Sequence, residues 1–206
     1  MKTIGGLFSG IGGIESGFEK AGFKTLWSNE NDPYSVRSFK HNYKHQLYSE
    51  DIRKLDFRKL KPVDVLVGGF PCQAFSVAGY QKGFKDPRGN LFFEIERILK
   101  AKRPEAFFLE NVQHIMNHDN GNTFKVIQER IRDLDYSFYY KKVRACDFNL
   151  PQLRPRTFMV GFRDEKPSEE FFSFPDAVPL KKTMSDVFGG ECSREIGFTL
   201  RLGGMG

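Results

Sequence analysis

The sequence predicts an α/β fold built on a mostly parallel, doubly wound sheet with an antiparallel strand pair at its end. Three observations carry that prediction. Strand-like and helix-like segments alternate through the first half, the pattern that puts helices on both faces of one sheet. Val63-Asp64-Val65-Leu66-Val67-Gly68 is short, β-branched and glycine-ended, as an interior parallel strand should be. Gly10-Ile11-Gly12-Gly13 separates the first strand candidate from the first helix candidate, where such sheets make a tight turn.

Taken in order, Thr3 to Phe8 reads as a strand and Gly13 to Ala21 as a short helix stopped by Gly22. Phe23 to Ser28 is a second strand, ending at Asn29-Glu30-Asn31-Asp32-Pro33. Helical pattern resumes from Pro33, a favoured first-turn residue, to Tyr43. A short strand at Gln46 to Tyr48 leads to Glu50-Asp51. Strand Val63 to Gly68 is followed by a polar, glycine-rich loop from Gln73 to Asn90. Leu91 to Ala101 repeats apolar residues at helical spacing. Ala106 to Leu109 is a buried strand that places Glu110 at its carboxyl end, and Thr123 to Leu134 is helical. The aromatic-rich Tyr136 to Ala145 and Thr157 to Phe162 are expected to pair antiparallel. After Arg163, prolines 167, 175 and 179 punctuate a weakly patterned stretch. The expected division is therefore a catalytic and ligand-binding domain over 1–163 and a linker with the start of a further region over 164–206.

The 206 residues carry a net charge of +6, which favours a polyanionic partner. The basic residues are scattered, so no tail or block supplies the excess. Three cysteines, Cys72, Cys146 and Cys192, lack framework spacing, which argues against a disulfide scaffold and for a reducing, cytoplasmic compartment. No signal peptide or transmembrane-length apolar run is present. His114 and His118 share a helical spacing, but Asn117 to Asn122 reads as a polar turn, so no metal site is expected.

Cys72 stands directly after Pro71, where the apolar run of the central strand stops. A thiol there lies where open α/β sheets bind ligands, and a following helix start would favour its thiolate. Its position alone is equally compatible with a half-buried structural cysteine. The glycine turn, with Glu30 about twenty residues on at the next strand end, fits a nucleoside-bearing cofactor, either a dinucleotide or S-adenosylmethionine. Glu110 is a carboxylate at an interior strand end, costly to desolvate without a partner or a task. Arg154 and Arg156 share one face of an extended segment and could hold phosphate, a base or carboxylates.

Phe70-Pro71-Cys72-Gln73-Ala74-Phe75-Ser76, followed by Gly83 to Phe92, resembles the catalytic motif and mobile loop of the bacterial cytosine-C5 DNA methyltransferases of restriction–modification type. Leu7-Phe8-Ser9-Gly10-Ile11-Gly12-Gly13, Glu110-Asn111-Val112 and Gln152-Leu153-Arg154-Pro155-Arg156 resemble further motifs of that family, in the family's order. The resemblance covers most of the chain and corresponds to the family's amino-terminal catalytic part. It implies a Rossmann-like fold that binds S-adenosylmethionine and releases S-adenosylhomocysteine. On that likeness Phe8, Gly10, Ile11, Gly12 and Gly13 surround the methionine and sugar, Glu30 takes the ribose, and Asp51 and Ile52 flank the adenine. Phe70, Pro71 and Leu91 complete the cofactor set. Asn31 stands where some members place a tryptophan against adenine.

The resemblance also implies a mechanism. Cys72 adds to C6 of a cytosine flipped out of duplex DNA, Glu110 holds N3, and Gln73, Arg154 and Arg156 stand beside the base. In the family a target-recognition domain follows, so the expected chain is a fragment or one half of a split enzyme, served by a carboxyl-terminal polypeptide. The competing expectations are an RNA cytosine-C5 methyltransferase, a dinucleotide-dependent oxidoreductase, and a cofactor-binding subunit inactive on its own.

Overall fold

The structure, a computed structural model, describes residues 1–71, 91–168 and 170–199. In chain order its elements are β1 (Thr3–Leu7), α1 (Gly13–Lys20), β2 (Lys24–Asn29), α2 (Pro33–Asn42), β3 (Gln46–Tyr48) and β4 (Val65–Gly69). There follow α3 (Leu91–Lys102), β5 (Ala106–Val112), α4 (Asn122–Arg132), β6 (Tyr139–Arg144), β7 (Gln152–Leu153), β8 (Pro155–Phe162), α5 (Met184–Phe188) and β9 (Gly197–Phe198). The loop expected from Gln73 to Asn90, with Cys72, lies outside the described residues.

One seven-stranded sheet has the order β3-β2-β1-β4-β5-β8-β6. The pairs from β3 to β5 are parallel, and β8 runs antiparallel to both β5 and β6. The chain winds outward from β1 to β3, then crosses back to place β4 on β1's other side. Strand order reverses between β1 and β4, and the carboxyl ends of those strands are where such a sheet opens a ligand crevice. The expected fold class is thus observed, with the antiparallel pair joined to the main sheet.

Boundaries shift for local reasons. β1 stops at Leu7, because Phe8 takes a left-handed backbone (φ 52°). β4 starts at Val65 rather than Val63, because Asp64 is turned to Thr3, accepting from its backbone amide at 2.6 Å and its hydroxyl at 2.7 Å. β5 runs three residues past Leu109, because β8 pairs with it as far as Val112 opposite Arg156. β6 begins at Tyr139, although Tyr136 still bridges Arg163 antiparallel and the Ser137 amide donates to Phe162 O at 2.9 Å.

Helices α3 and α4 bury apolar stripes at helical spacing, Phe92, Ile95, Ile98 and Leu99 on one and Phe124, Ile127 and Ile131 on the other. These join Phe107, Leu109, Phe138 and Met159 in the core. Each such side chain contributes about 1.5–3 kcal/mol. On the other face, the Phe18 ring of α1 meets Phe108 edge-on at 5.3 Å. Beyond β8, the rings of Phe171 and Phe172 pack on Phe162, and β9 pairs in parallel with β7. No helix among the described residues is long and apolar enough to cross a membrane.

Candidate functional site

The turn after β1 is shaped by its backbone. Phe8, Gly10 and Gly12 all adopt positive φ (52°, 54° and 90°). For phenylalanine this costs on the order of 1–2 kcal/mol, a strain typical of functional turns. Gly12 also has no room for a side chain, since a Cβ would lie 2.3 Å from the Tyr43 ring, whose hydroxyl donates to Gly12 O at 2.8 Å. Helix α1 then opens with no side-chain cap, leaving its first amides available to an anion.

Glu30 ties this turn to the end of β2. Its Oε2 accepts the Gly10 amide at 2.7 Å, and its Oε1 accepts the amides of Asn31 and Asp32, each at 2.8 Å. A carboxylate oxygen has two acceptor sites, so Oε2 keeps one for a ligand hydroxyl. Around it opens a cleft of about 360 Å³, lined by Phe8, Asn29, Glu30, Asn31, Asp51, Ile52, Arg53, Gly69, Pro71 and Leu91. Seven of the residues expected to hold a cofactor therefore converge here.

The others sit differently. Gly10 enters through its bond to Glu30, while Ile11, Gly12 and Gly13 are absent from the lining and Ile11 is exposed. Phe70 does not face the cleft, because its ring is buried in the core against Phe92. Asp51 is engaged by Arg53, whose Nε lies 2.9 and 3.0 Å from its two carboxylate oxygens. That guanidinium holds the Asp51 carboxyl down at about 2. Sequence reading missed Arg53 and Asn29. The Asp-x-Arg spacing was the available signal for Arg53. Asn29 gave none, since its role is to donate to Tyr48 O and Glu50 O and so fix the cleft wall.

The second half of the site lies at the ends of β4 and β5. Gly69 and Glu110 are register partners, and a Cβ on Gly69 would lie 3.3 Å from Glu110 Oε2. Gly69, the register partner of Glu110, stands three residues before Cys72 in the sequence. Arg156 Nε pairs with Glu110 Oε1 at 2.6 Å, and an Arg154 nitrogen lies 3.9 Å from the same oxygen. Partial burial and the neighbouring Arg156 cation push the Arg154 pKa down. The two arginines thus converge on one acid.

Asn111, next in sequence, is buried and donates from Nδ2 to Phe70 O at 2.9 Å. It fixes the peptide entering Pro71, a role with no sequence signal beyond the Glu-Asn-Val motif. Cys72 and Gln73 lie outside the described residues. Cys146 and Cys192 are free and half-buried, remote in sequence from both strand ends.

A strand-end acid paired with arginine thus stands at the end of β5, and a cleft opens around Glu30 at the end of β2. Comparisons with known proteins identify the family. The family model for C-5 cytosine-specific DNA methylase matches residues 2–199, and this chain belongs to that family. It is 46% identical over 190 residues to the type II methyltransferase M.Bsp6I of Bacillus sp. strain RFL6, covering 91% of this chain and 60% of that protein. It is 45% identical over 186 residues to M.HaeII of Haemophilus aegyptius, covering 90% and 57%. The chain thus spans somewhat over half the length of these relatives.

Among solved structures, a putative DNA modification methyltransferase encoded within an E. coli prophage superposes with a TM-score of 0.74. It is 27% identical and covers 94% of this chain and 56% of its own. DNMT2 of Spodoptera frugiperda shares the fold, with a TM-score of 0.72 at 20% identity over 91% of this chain and 59% of its own.

Proposed function

We propose that this chain is the cofactor-binding and catalytic part of an enzyme that methylates C5 of cytosine in duplex DNA, working in the cytoplasm. The observation that carries the reading is the Glu110 carboxylate, held by Arg156 over Gly69 at the root of the Pro71–Cys72 segment. Residues 164–206 are read as a linker and the start of the target-recognition region. The remainder is supplied by further chain or by a separate carboxyl-terminal polypeptide.

The cleft fits S-adenosylmethionine. Glu30 retains an acceptor for a ribose hydroxyl, and Ile52, Pro71 and Leu91 offer apolar faces to a purine, while Asp51 is held by Arg53 on the same wall. Asn31 is exposed and adds little apolar surface there. When bound, the cofactor supplies an electrophilic sulfonium methyl beside the ring. The chain's residues prepare the cytosine to receive it, because C5 is a poor nucleophile until the ring gains electron density. The Cys72 thiolate forms a bond to C6, while Glu110 shares a proton with N3 and disperses the developing charge. After transfer, the C5 proton is lost, the Cys72–C6 bond breaks with its electrons returning to sulfur, and aromaticity is restored. A duplex shields both carbons, so the base must leave the stack.

Calorimetry tests the cofactor half of this reading. Glu30→Ala should weaken S-adenosylmethionine binding by about 1–3 kcal/mol, because it removes the ribose acceptor and releases the Gly10 amide. Unchanged affinity would remove Glu30 from the site. Preference of the wild-type chain for a nicotinamide dinucleotide would overturn the cofactor assignment.

A further inference from the structure

The glycine turn is held at two points, and only one of them belongs to the cleft. The Gly10 amide is taken by Glu30 Oε2 at 2.7 Å, from the cleft wall. Further on, the Gly12 amide donates to Ser9 O at 2.8 Å. Gly12 O accepts the Ser16 amide at 2.9 Å and the Tyr43 hydroxyl at 2.8 Å, which fills both lone pairs of that oxygen. Tyr43 is not among the residues that line the cleft.

Tyr43 is the first residue after α2, and its ring lies 4.6 Å from that of the buried Phe39. The ring occupies the space that a Cβ on Gly12 would need. Two residues on, the His45 ring lies 5.6 Å from that of Tyr43, and its Nε2 is 3.0 Å from Ser28 Oγ. The Ser28 hydroxyl in turn donates at 3.1 Å to Glu15 Oε1, buried in the first turn of α1. The short linker between α2 and β3 thus reaches the start of α1 by two routes.

Gly10 and Gly13 differ from Gly12, because a Cβ on either would meet nothing within 4 Å. The turn is therefore shut at Gly12 and open at Gly10 and Gly13. In a trans peptide the carbonyl oxygen and the following amide hydrogen point in opposite directions. Holding Gly12 O toward Tyr43 thus turns the Gly13 amide, the first of α1, away from it.

We propose that Tyr43 is a positioning residue for cofactor binding. Acting through the Gly12 carbonyl, its hydroxyl holds the turn in the backbone form that keeps Gly10 and Gly13 open before a ligand arrives. Without that donor, the φ of 90° at Gly12 is one of several conformations that glycine adopts at little cost. The ligand must then order the turn itself and binds more weakly. This inference rests on the cofactor reading above and extends it to a side chain outside the cleft.

Calorimetry on residues 1–206 with S-adenosylhomocysteine as the probe tests the proposal. Tyr43→Phe keeps the ring against Gly12 and removes only the hydroxyl. It should weaken binding by about threefold to tenfold, the worth of one hydrogen bond. Ile127→Val trims the core in α4 at a similar cost to folding and should leave affinity within about twofold. Binding by Tyr43→Phe as tight as wild type would overturn the proposal. So would equal weakening in Ile127→Val, since affinity would then merely follow stability. Both outcomes leave the cofactor reading standing, whereas a wild-type chain that does not bind the probe would overturn reading and inference together.

Discussion

Glu110→Gln should lower the rate of methyl transfer by about two to four orders of magnitude, the usual contribution of a positioned acid. The substitution keeps the shape of the side chain but removes its ability to exchange a proton. Cofactor affinity should hold, because Glu110 is not among the residues lining the nucleoside cleft. Glu110→Ala should add a loss of stability. Arg156, whose side chain is 16% exposed, would lose its 2.6 Å partner, and an uncompensated, mostly buried cation costs about 1–3 kcal/mol. Single-turnover methylation with denaturant unfolding separates the two effects. A Glu110→Gln enzyme with near-normal transfer would show that the strand-end acid does not touch the base.

Residues 1–206 assayed by themselves should bind cofactor yet methylate duplex DNA negligibly. The described residues after Arg163 form an aromatic strap on Tyr139 and Phe162, a five-residue helix and a two-residue strand. Nothing among them is a second packed unit able to read base edges, and scattered cations give only salt-sensitive attraction to the phosphate backbone. Adding the carboxyl-terminal length that the relatives possess, in cis or as a separate polypeptide, should restore transfer at one fixed sequence. A tritiated-methyl assay on defined duplexes reads the difference. Robust methylation at a single site by residues 1–206 would place recognition within this part.

The central strands β1, β4 and β5 were legible because they are largely buried and so read as short apolar runs. The parallel order around β1 and β4 followed from strand–helix alternation. Contacts across strands were less legible. That Arg154 and Arg156 converge on Glu110 depends on Val112 pairing with Arg156, a register set by tertiary pairing. Nothing in the sequence marked Glu15 as buried, since only Gly6 on a neighbouring strand shows that there is room for it. Asn111 was hidden for the same reason, because its partner is a backbone carbonyl 41 residues away. Glu30 was found by its spacing, but its three backbone amide partners could not be read from that spacing.

The central claim is that Pro71–Cys72 delivers a nucleophile to a cytosine held by Glu110, and covalent trapping tests it most directly. Duplex DNA carrying 5-fluorocytosine at the target position cannot release the enzyme, because fluorine blocks the loss of the C5 substituent. With cofactor present, an enzyme containing this chain should form a denaturation-resistant adduct whose modified peptide contains Cys72. Cys72→Ser should lose the adduct and Cys146→Ser should keep it. An adduct that survives Cys72→Ser, or maps to Cys146 or Cys192, would contradict the account.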